Sequence, residues 1–239
     1  MYFKNFPRVQ YDIDGDGETR TMIDLTSFTA FNLDRLDGAI SYTYYNIEDG
    51  DRPDNVSFAL YGSPDYHWTF FLVNPHLRNY YDHWPKGSHA LSEMVKIKYP
   101  HIAGLFNTNQ VLAGKFKIGE IVTGQQSRAS GYVRAKYPTD GYIVIEPFIG
   151  KFKESGESIV GAETEDALDC DSFVQQYNAP HHHVNDFTGD VVEQGLSGTT
   201  AISFYEWEIE NNNQNSKIKV IRPEIIRTVV GEFIRELNK

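Results

Sequence analysis

The run His181-His182-His183 is the one histidine cluster in this 239-residue chain, and closely spaced imidazoles suggest metal ligation. On a strand His181 and His183 share a face and offer two nitrogen ligands. No third ligand is marked nearby, so structural or solvent-facing histidines explain the run more simply. Cys170 precedes the cluster by eleven residues, which leaves a Cys/His nucleophile pair formally open, but nothing supplies an orienting partner or an oxyanion hole. Asp12-Ile13-Asp14-Gly15-Asp16-Gly17 has the alternating oxygens of a calcium loop. The closing acid is missing, because Ile23 stands where a glutamate is needed and Asp24 comes one place late, so an Asp/Gly-rich turn is the alternative. Glu206 and Glu208 would share one strand face, as an acid/base pair or as a solvated face. Gly195-Leu196-Ser197-Gly198-Thr199 fails the nucleophile-elbow pattern, and neither phosphate-binding glycine motif is present. The reading is therefore of a protein that is not an enzyme, with no catalytic, cofactor or metal residues expected.

Composition narrows the classes further. A net charge of −11 argues against nonspecific nucleic-acid binding or attachment to an anionic membrane, both of which need clustered Lys and Arg. No apolar run approaches the roughly 20 residues that cross a bilayer. Met1 to Pro7 holds neither a long apolar stretch nor a small-residue cleavage site, so the expectation is a chain without a secretory leader, made in a cytoplasm. One cysteine excludes an intramolecular disulfide framework. Aromatic residues make up 14% of the chain, which suits either contact surface or aromatic cores in small domains.

The elements that must carry these groups read as an α+β protein in four segments. Residues 1–36 form an extended arm with the acidic turn, a short strand at Thr19 to Ile23 and a helical or irregular stretch to Leu36. Residues 37–103 hold the best-punctuated unit. Tyr42 to Ile47 is a strand that stops at Glu48-Asp49-Gly50-Asp51. Pro53 opens a helix with Val56, Ala59 and Leu60 on one face, and Gly62 ends it. Ser63-Pro64-Asp65 restarts the chain as a second helix with Trp68, Phe71 and Leu72, which Asn74-Pro75 stops. A Tyr-rich loop and a helix from His89 to Lys98, N-capped by Ser88, follow.

Residues 104–162 are punctuated by glycine and contain an internal repeat. Gly114-Lys115-Phe116-Lys117-Ile118-Gly119-Glu120 recurs, with one residue inserted, as Gly150-Lys151-Phe152-Lys153-Glu154-Ser155-Gly156-Glu157. With strands at Ala129 to Ala135 and Gly141 to Glu146, this predicts a small antiparallel barrel or curled sheet. Residues 163–239 begin as an acidic linker, Glu163 to Asp171. They continue as a hairpin of Ile202 to Ile209 with Lys217 to Ile221, and end in an amphipathic helix opened by Pro223. Its stripe is Ile226, Val229, Val230, Phe233 and Leu237, which requires a cover, either within the chain or on a partner subunit. These five are the expected protein-contact residues.

The strand, Arg52-Pro53, Leu60-Tyr61-Gly62-Ser63-Pro64 and His67-Trp68 resemble the LysM-like domain of baseplate wedge protein fifty-three of T-even-type bacteriophages. Tyr80-Tyr81 before Trp84, His183-Val184-Asn185 and Lys217 to Ile221 leading into the helix are similar to later segments of that family. The resemblance covers most of residues 37–103 and 170–239. Residues 104–162 look like an inserted β-module, and the arm is only loosely similar. The resemblance implies a βααβ-type LysM-like domain and a structural subunit of a contractile-tail baseplate in the virion, assembled in the host cytoplasm. Its partners would be other wedge subunits and the central hub in a sixfold assembly. The alternative it carries is a LysM-type module binding peptidoglycan or chitin.

Overall fold

A computed structural model describes residues 5–24, 41–77, 79, 83–106, 112–193 and 196–238. The stretch leading to Leu36 and the Tyr80-Tyr81 pair lie outside the described residues. The chain divides into two compact units, one of residues 1–87 with 212–239 and one of residues 88–211.

The first unit pairs strands from opposite ends of the sequence. β3 (Tyr42–Asn46) runs antiparallel to β13 (Lys217–Ile221), with Tyr42 opposite Ile221 and Asn46 opposite Lys217. Between them in sequence come α1 (Pro53–Tyr61), a single 3-10 turn (Pro64–Tyr66) and α2 (Trp68–Val73). Local chemistry sets these boundaries. Pro53 opens α1 where a missing N–H is harmless, and Gly62 closes it in the left-handed region at φ 69°. The Ser63 hydroxyl accepts the Asp65 N–H at 3.2 Å. The core below is Ile47, Val56, Phe70, Phe71, Leu77, Trp84, Ile218 and Val220.

Asn74 ties α2 to β13. Its Nδ2 donates to the Phe70 carbonyl at 2.8 Å and the Lys219 carbonyl at 2.7 Å, while its Oδ1 accepts the Lys219 N–H at 2.9 Å. The residue is 2% exposed, so its amide groups find their partners within the protein. The expected hairpin of Ile202–Ile209 with Lys217–Ile221 is thus corrected: Lys217–Ile221 pairs with β3. The arm contributes β1 (Arg8–Tyr11) and β2 (Arg20–Ile23), a hairpin whose eight strand residues are all exposed.

The second unit begins with α3 (Ser88–Lys98) and centres on a closed antiparallel barrel. Its strands are β4 (Ile102–Leu105), β5 (Ile121–Gly124), β6 (Ser130–Tyr137), β7 (Tyr142–Ile149), β8 (Ser155–Gly161) and β9 (Ala167–Gln175), in spatial order β4-β7-β6-β5-β8-β9. These strands extend from Ile102 to Gln175, beyond the expected 104–162. The expected acidic linker, Glu163 to Asp171, is instead the turn after β8 and the start of β9, in which Leu168, Cys170 and Phe173 point inward and Asp169 and Asp171 lie on the exposed face. Alternation also explains β7. Ile143 and Ile145 fill the barrel with Phe116, Val122, Val133 and Ile159, while Tyr142 and Val144 pack outside it with Ala103, Ala179 and Phe204.

Beyond the barrel, β10 (Pro180–Asn185) lies between β11 (Val191–Val192) and β12 (Thr199–Ser203), and α4 (Phe204–Gln214) follows. The expected strand Ile202–Ile209 breaks at Ser203 because of a capping box. The Ser203 N–H and hydroxyl both donate to Glu206 at 2.8 Å, and the Glu206 N–H returns a bond to the Ser203 hydroxyl at 3.2 Å. Glu206 is therefore a cap. Glu208 lies further along the helix, not beside Glu206 on a strand, and accepts Lys98 Nζ and the Tyr99 hydroxyl, each at 2.7 Å. The chain ends in α5 (Ile226–Leu237).

Asn74→Ala should cost about 2 kcal/mol of stability, because it leaves the half-buried Lys219 N–H and carbonyl without these partners. Urea unfolding followed by tryptophan fluorescence measures this, and an unchanged midpoint would show that Asn74 is not the tie.

Candidate functional site

In the first unit, a cleft of about 650 Å³ is lined by Gly50 to Asp54, His67, Phe71 and Trp84 to Gly87. Its aromatic floor is held from behind. Trp84 Nε1 donates to the Asp51 carbonyl at 2.8 Å, and the Asp51 carboxylate accepts the Tyr45 hydroxyl at 2.9 Å and the Glu48 N–H at 3.0 Å. Burial, then the hydrogen bond to Asp51, push the Tyr45 hydroxyl up to about 12, so it remains a donor at neutral pH. Asn212 fixes the far lip, accepting the Lys86 N–H at 2.7 Å and donating to its carbonyl at 3.0 Å. On the rim Arg52 pairs with Asp54 at 3.3 Å, with the guanidinium side chain 74% exposed.

The arm hairpin offers a second surface. Val9, Tyr11, Ile13, Met22 and Ile23 are all exposed. Its acidic turn is closed by its own hydrogen bonds: Asp12 accepts the N–H groups of Gly15 at 2.7 Å and Gly17 at 2.9 Å, and Asp14 pairs with Arg20 at 3.4 Å. Those bonds hold the Asp12 carboxyl below its ordinary range, the Gly17 bond most of all. Gly15 and Gly17 sit at φ 71° and 88°, as an Asx-type turn requires. Asp12, Asp14 and Asp16 thus lie in a turn closed by the chain's own N–H groups and by Arg20.

The five residues expected at a partner contact lie inside the first unit. Ile226, Val229, Phe233 and Leu237 are 2–6% exposed, and Val230 is half-buried. Phe233 packs on Trp68 with ring centres 4.9 Å apart, beside Phe6 and Leu237. Ile226 and Val229 pack on Val73 and Ile221. The helix is latched at its end, where Asn238 Nδ2 donates to the Asn5 carbonyl at 3.1 Å.

In the second unit the histidines separate. β10 advances from Pro180 to His182 while β12 advances one residue, so His181 is the extra residue of a bulge. The bulge breaks the alternation on which a shared His181/His183 face depended. His181 Nδ1 lies 2.8 Å from His182 Nδ1, and the His181 ring stacks on Trp207 at 4.8 Å. His183 is buried, 3.6 Å from Asp140, and its Nδ1 has no hydrogen-bond partner among the described residues. Among the described residues, no three His, Cys, Asp or Glu side chains group as a metal site. Cys170 is buried, and burial followed by the charges of Glu157, Asp171 and Asp169 pushes its thiol far above the ordinary range, which makes it a poor nucleophile. The Gly195-Leu196-Ser197 stretch falls partly outside the described residues.

An exposed apolar hairpin and an open, rigidly backed cleft are features of a protein that makes contacts. A family model described as base plate wedge protein 53 matches residues 1–118, so this part of the chain is similar to that family of structural phage baseplate proteins. The match takes in the arm, which the motifs resembled only loosely, and stops before residues 170–239. No curated protein matches the chain. Among the described residues, no helix is long and apolar enough to cross a membrane.

The capping box and the bulge were missed by sequence reasoning. Ser203-x-x-Glu206 is a recognisable signal for the first. Nothing in sequence announces the second. Burial, then the charge of His182, lower the pKa of His181, with Lys98 also lowering it and Asp140 and Glu208 opposing. A histidine whose folded pKa is depressed stabilises the fold above its unfolded pKa, and that contribution is lost as pH falls towards the folded value. Trp207 fluorescence should therefore titrate with a midpoint below that of a free histidine. His182→Asn should raise that midpoint, and an unmoved midpoint would remove His182 as a cause.

Proposed function

We propose that this chain is a structural subunit of a contractile-tail phage baseplate wedge. In this reading it joins other wedge proteins and helps adjacent wedges close around the central hub, in a sixfold assembly formed in the host cytoplasm and carried in the virion. The family match over residues 1–118 is the observation that carries the reading. The geometry adds a contact element. A two-stranded hairpin whose strand residues are all exposed is marginal by itself, and laying Val9, Tyr11 and Met22 against a neighbour would stabilise it. Ile226, Val229, Val230, Phe233 and Leu237 serve assembly indirectly, by anchoring α5 so that Thr228, Glu232 and Arg235 face outward.

We also read β3-α1-α2-β13 as the LysM-like βααβ scaffold, reused here for protein contacts. A second reading has one observation in its favour, the cleft floored by Phe71 and Trp84, which suits a sugar ring.

Tyr11→Asp combined with Met22→Asp should leave the unfolding midpoint within about 0.5 kcal/mol of the parent, since both side chains are exposed. The same pair should abolish incorporation into particles. Wild-type incorporation would sink the hairpin as a contact element. Isothermal titration with chitin and peptidoglycan fragments separates the two readings: the assembly reading expects no heat of binding, and saturable binding would favour the sugar.

A further inference from the structure

The repeat in the barrel is longer and more symmetric than its shared Gly-Lys-Phe-Lys motif. Glu120 is followed by Gly124, Ser127 and Arg128 at the same intervals at which Glu157 is followed by Gly161, Thr164 and Glu165. The backbone repeats as well. Arg128 and Glu165 both sit in the left-handed region, at φ 61° and 59°. Gly124 donates to the Ala129 carbonyl as Gly161 donates to Asp166, and Gln125 donates to Ser158 as Ala162 donates to Ile121. The spatial order β4-β7-β6-β5-β8-β9 is unchanged when β5 and β8, β6 and β9, and β7 and β4 exchange places, so the barrel has an internal approximate twofold.

The two glutamates cross that axis. Both are buried, at 2% and 0% exposure. Glu120 accepts the Lys117 N–H of its own copy at 2.5 Å, then reaches the other copy's turn, accepting the N–H groups of Glu163 at 3.3 Å and Thr164 at 3.2 Å and the Thr164 hydroxyl at 3.2 Å. Glu157 mirrors it, accepting Lys153 N–H of its own copy at 2.5 Å and Ser127 N–H of the other's turn at 2.8 Å. Each carboxylate lies in a space that only glycine leaves open. A Cβ on Gly161 would come 2.8 Å from Glu120 Oε2, and one on Gly124 would collide with Glu157 Oε1.

We propose that residues 114–135 and 150–172 are two copies of one hairpin unit, locked together because each copy inserts a buried carboxylate into the other's turn. The exchange makes the barrel a two-way clasp that opens only when both turns are released. Burial alone raises a carboxyl pKa, but for Glu157 the bonds from Ser127, Lys153 and Gln126 outweigh it and hold the group below its ordinary range. A charge-assisted acceptor of this kind is worth more than a neutral one, so replacing it by an amide is a sensitive probe.

Hydrogen exchange on the full chain tests the crossing. Glu120→Gln should speed exchange at Glu163 and Thr164 by roughly tenfold or more while Ser127 stays within about twofold, and Glu157→Gln should speed Ser127 and leave Thr164 unchanged. Variants that loosen only their own copy, or the whole barrel uniformly, would overturn the exchange. Should Glu120→Gln fail to fold, Thr164→Val keeps the charge and removes one donor. It should then speed the Lys117 amide in the opposite copy and spare Lys153, and a change confined to residues 163–166 would overturn the proposal.

Discussion

The antiparallel pairing of β3 with β13 is the contact on which the first unit depends. Tyr42–Asn46 and Lys217–Ile221 come from opposite ends of the chain, and their ladder closes a loop that contains the whole of residues 88–211. Closing so long a loop carries an entropic cost that grows slowly with length, so a long intervening segment is tolerable once the seam is well bonded. Asn74 adds two hydrogen bonds from α2 to the β13 side of that seam, both to Lys219, and Tyr61 adds a third from its hydroxyl to the Ile221 carbonyl at 2.9 Å. The terminal helix then covers the same seam from one side, with Ile226 and Val229 against Ile221 and Val73.

With the helix committed to that task, its apolar stripe is part of the core. An amphipathic pattern specifies that a face will be buried but not by what. The exposed apolar residues of the first unit lie instead on the arm hairpin, and its open cleft lies behind Arg52-Pro53. Both lie in the stretch that matches the base plate wedge family, where a role in contacts is the shared expectation. The barrel lies mostly outside that match. It is held from within by its own duplicated hairpins.

Much of the local architecture was legible. Pro53, Gly62, Ser63 and Asn74 mark boundaries within a few residues of where they act, and α1, the 3-10 turn and α2 fall between them. The strands of the barrel were legible for the same reason. Their limits were less so, because β9 carries Asp169 and Asp171 on its outer face and so looks like a linker. The candidate site was less legible still. The cleft joins residues 50–54 to residues 84–87 across the unit, and neither segment alone suggests a cavity.

What the sequence by itself determined is what short range controls: the caps, the turns at Gly15 and Gly17, the amphipathic faces and the repeated Gly-Lys-Phe-Lys motif. Only the tertiary structure decided that Lys217–Ile221 joins β3, that α5 buries its stripe against Trp68 and Ile221, that a bulge turns His181 from His183, and that Glu120 and Glu157 serve each other's turns. The physical reason is the same in each case. A residue's own type and neighbours fix its conformational preference and whether it seeks burial or a hydrogen bond. The group that satisfies it lies tens to more than a hundred residues away, as Lys219 does for Asn74 at a separation of 145, and is chosen by packing that local pattern does not record.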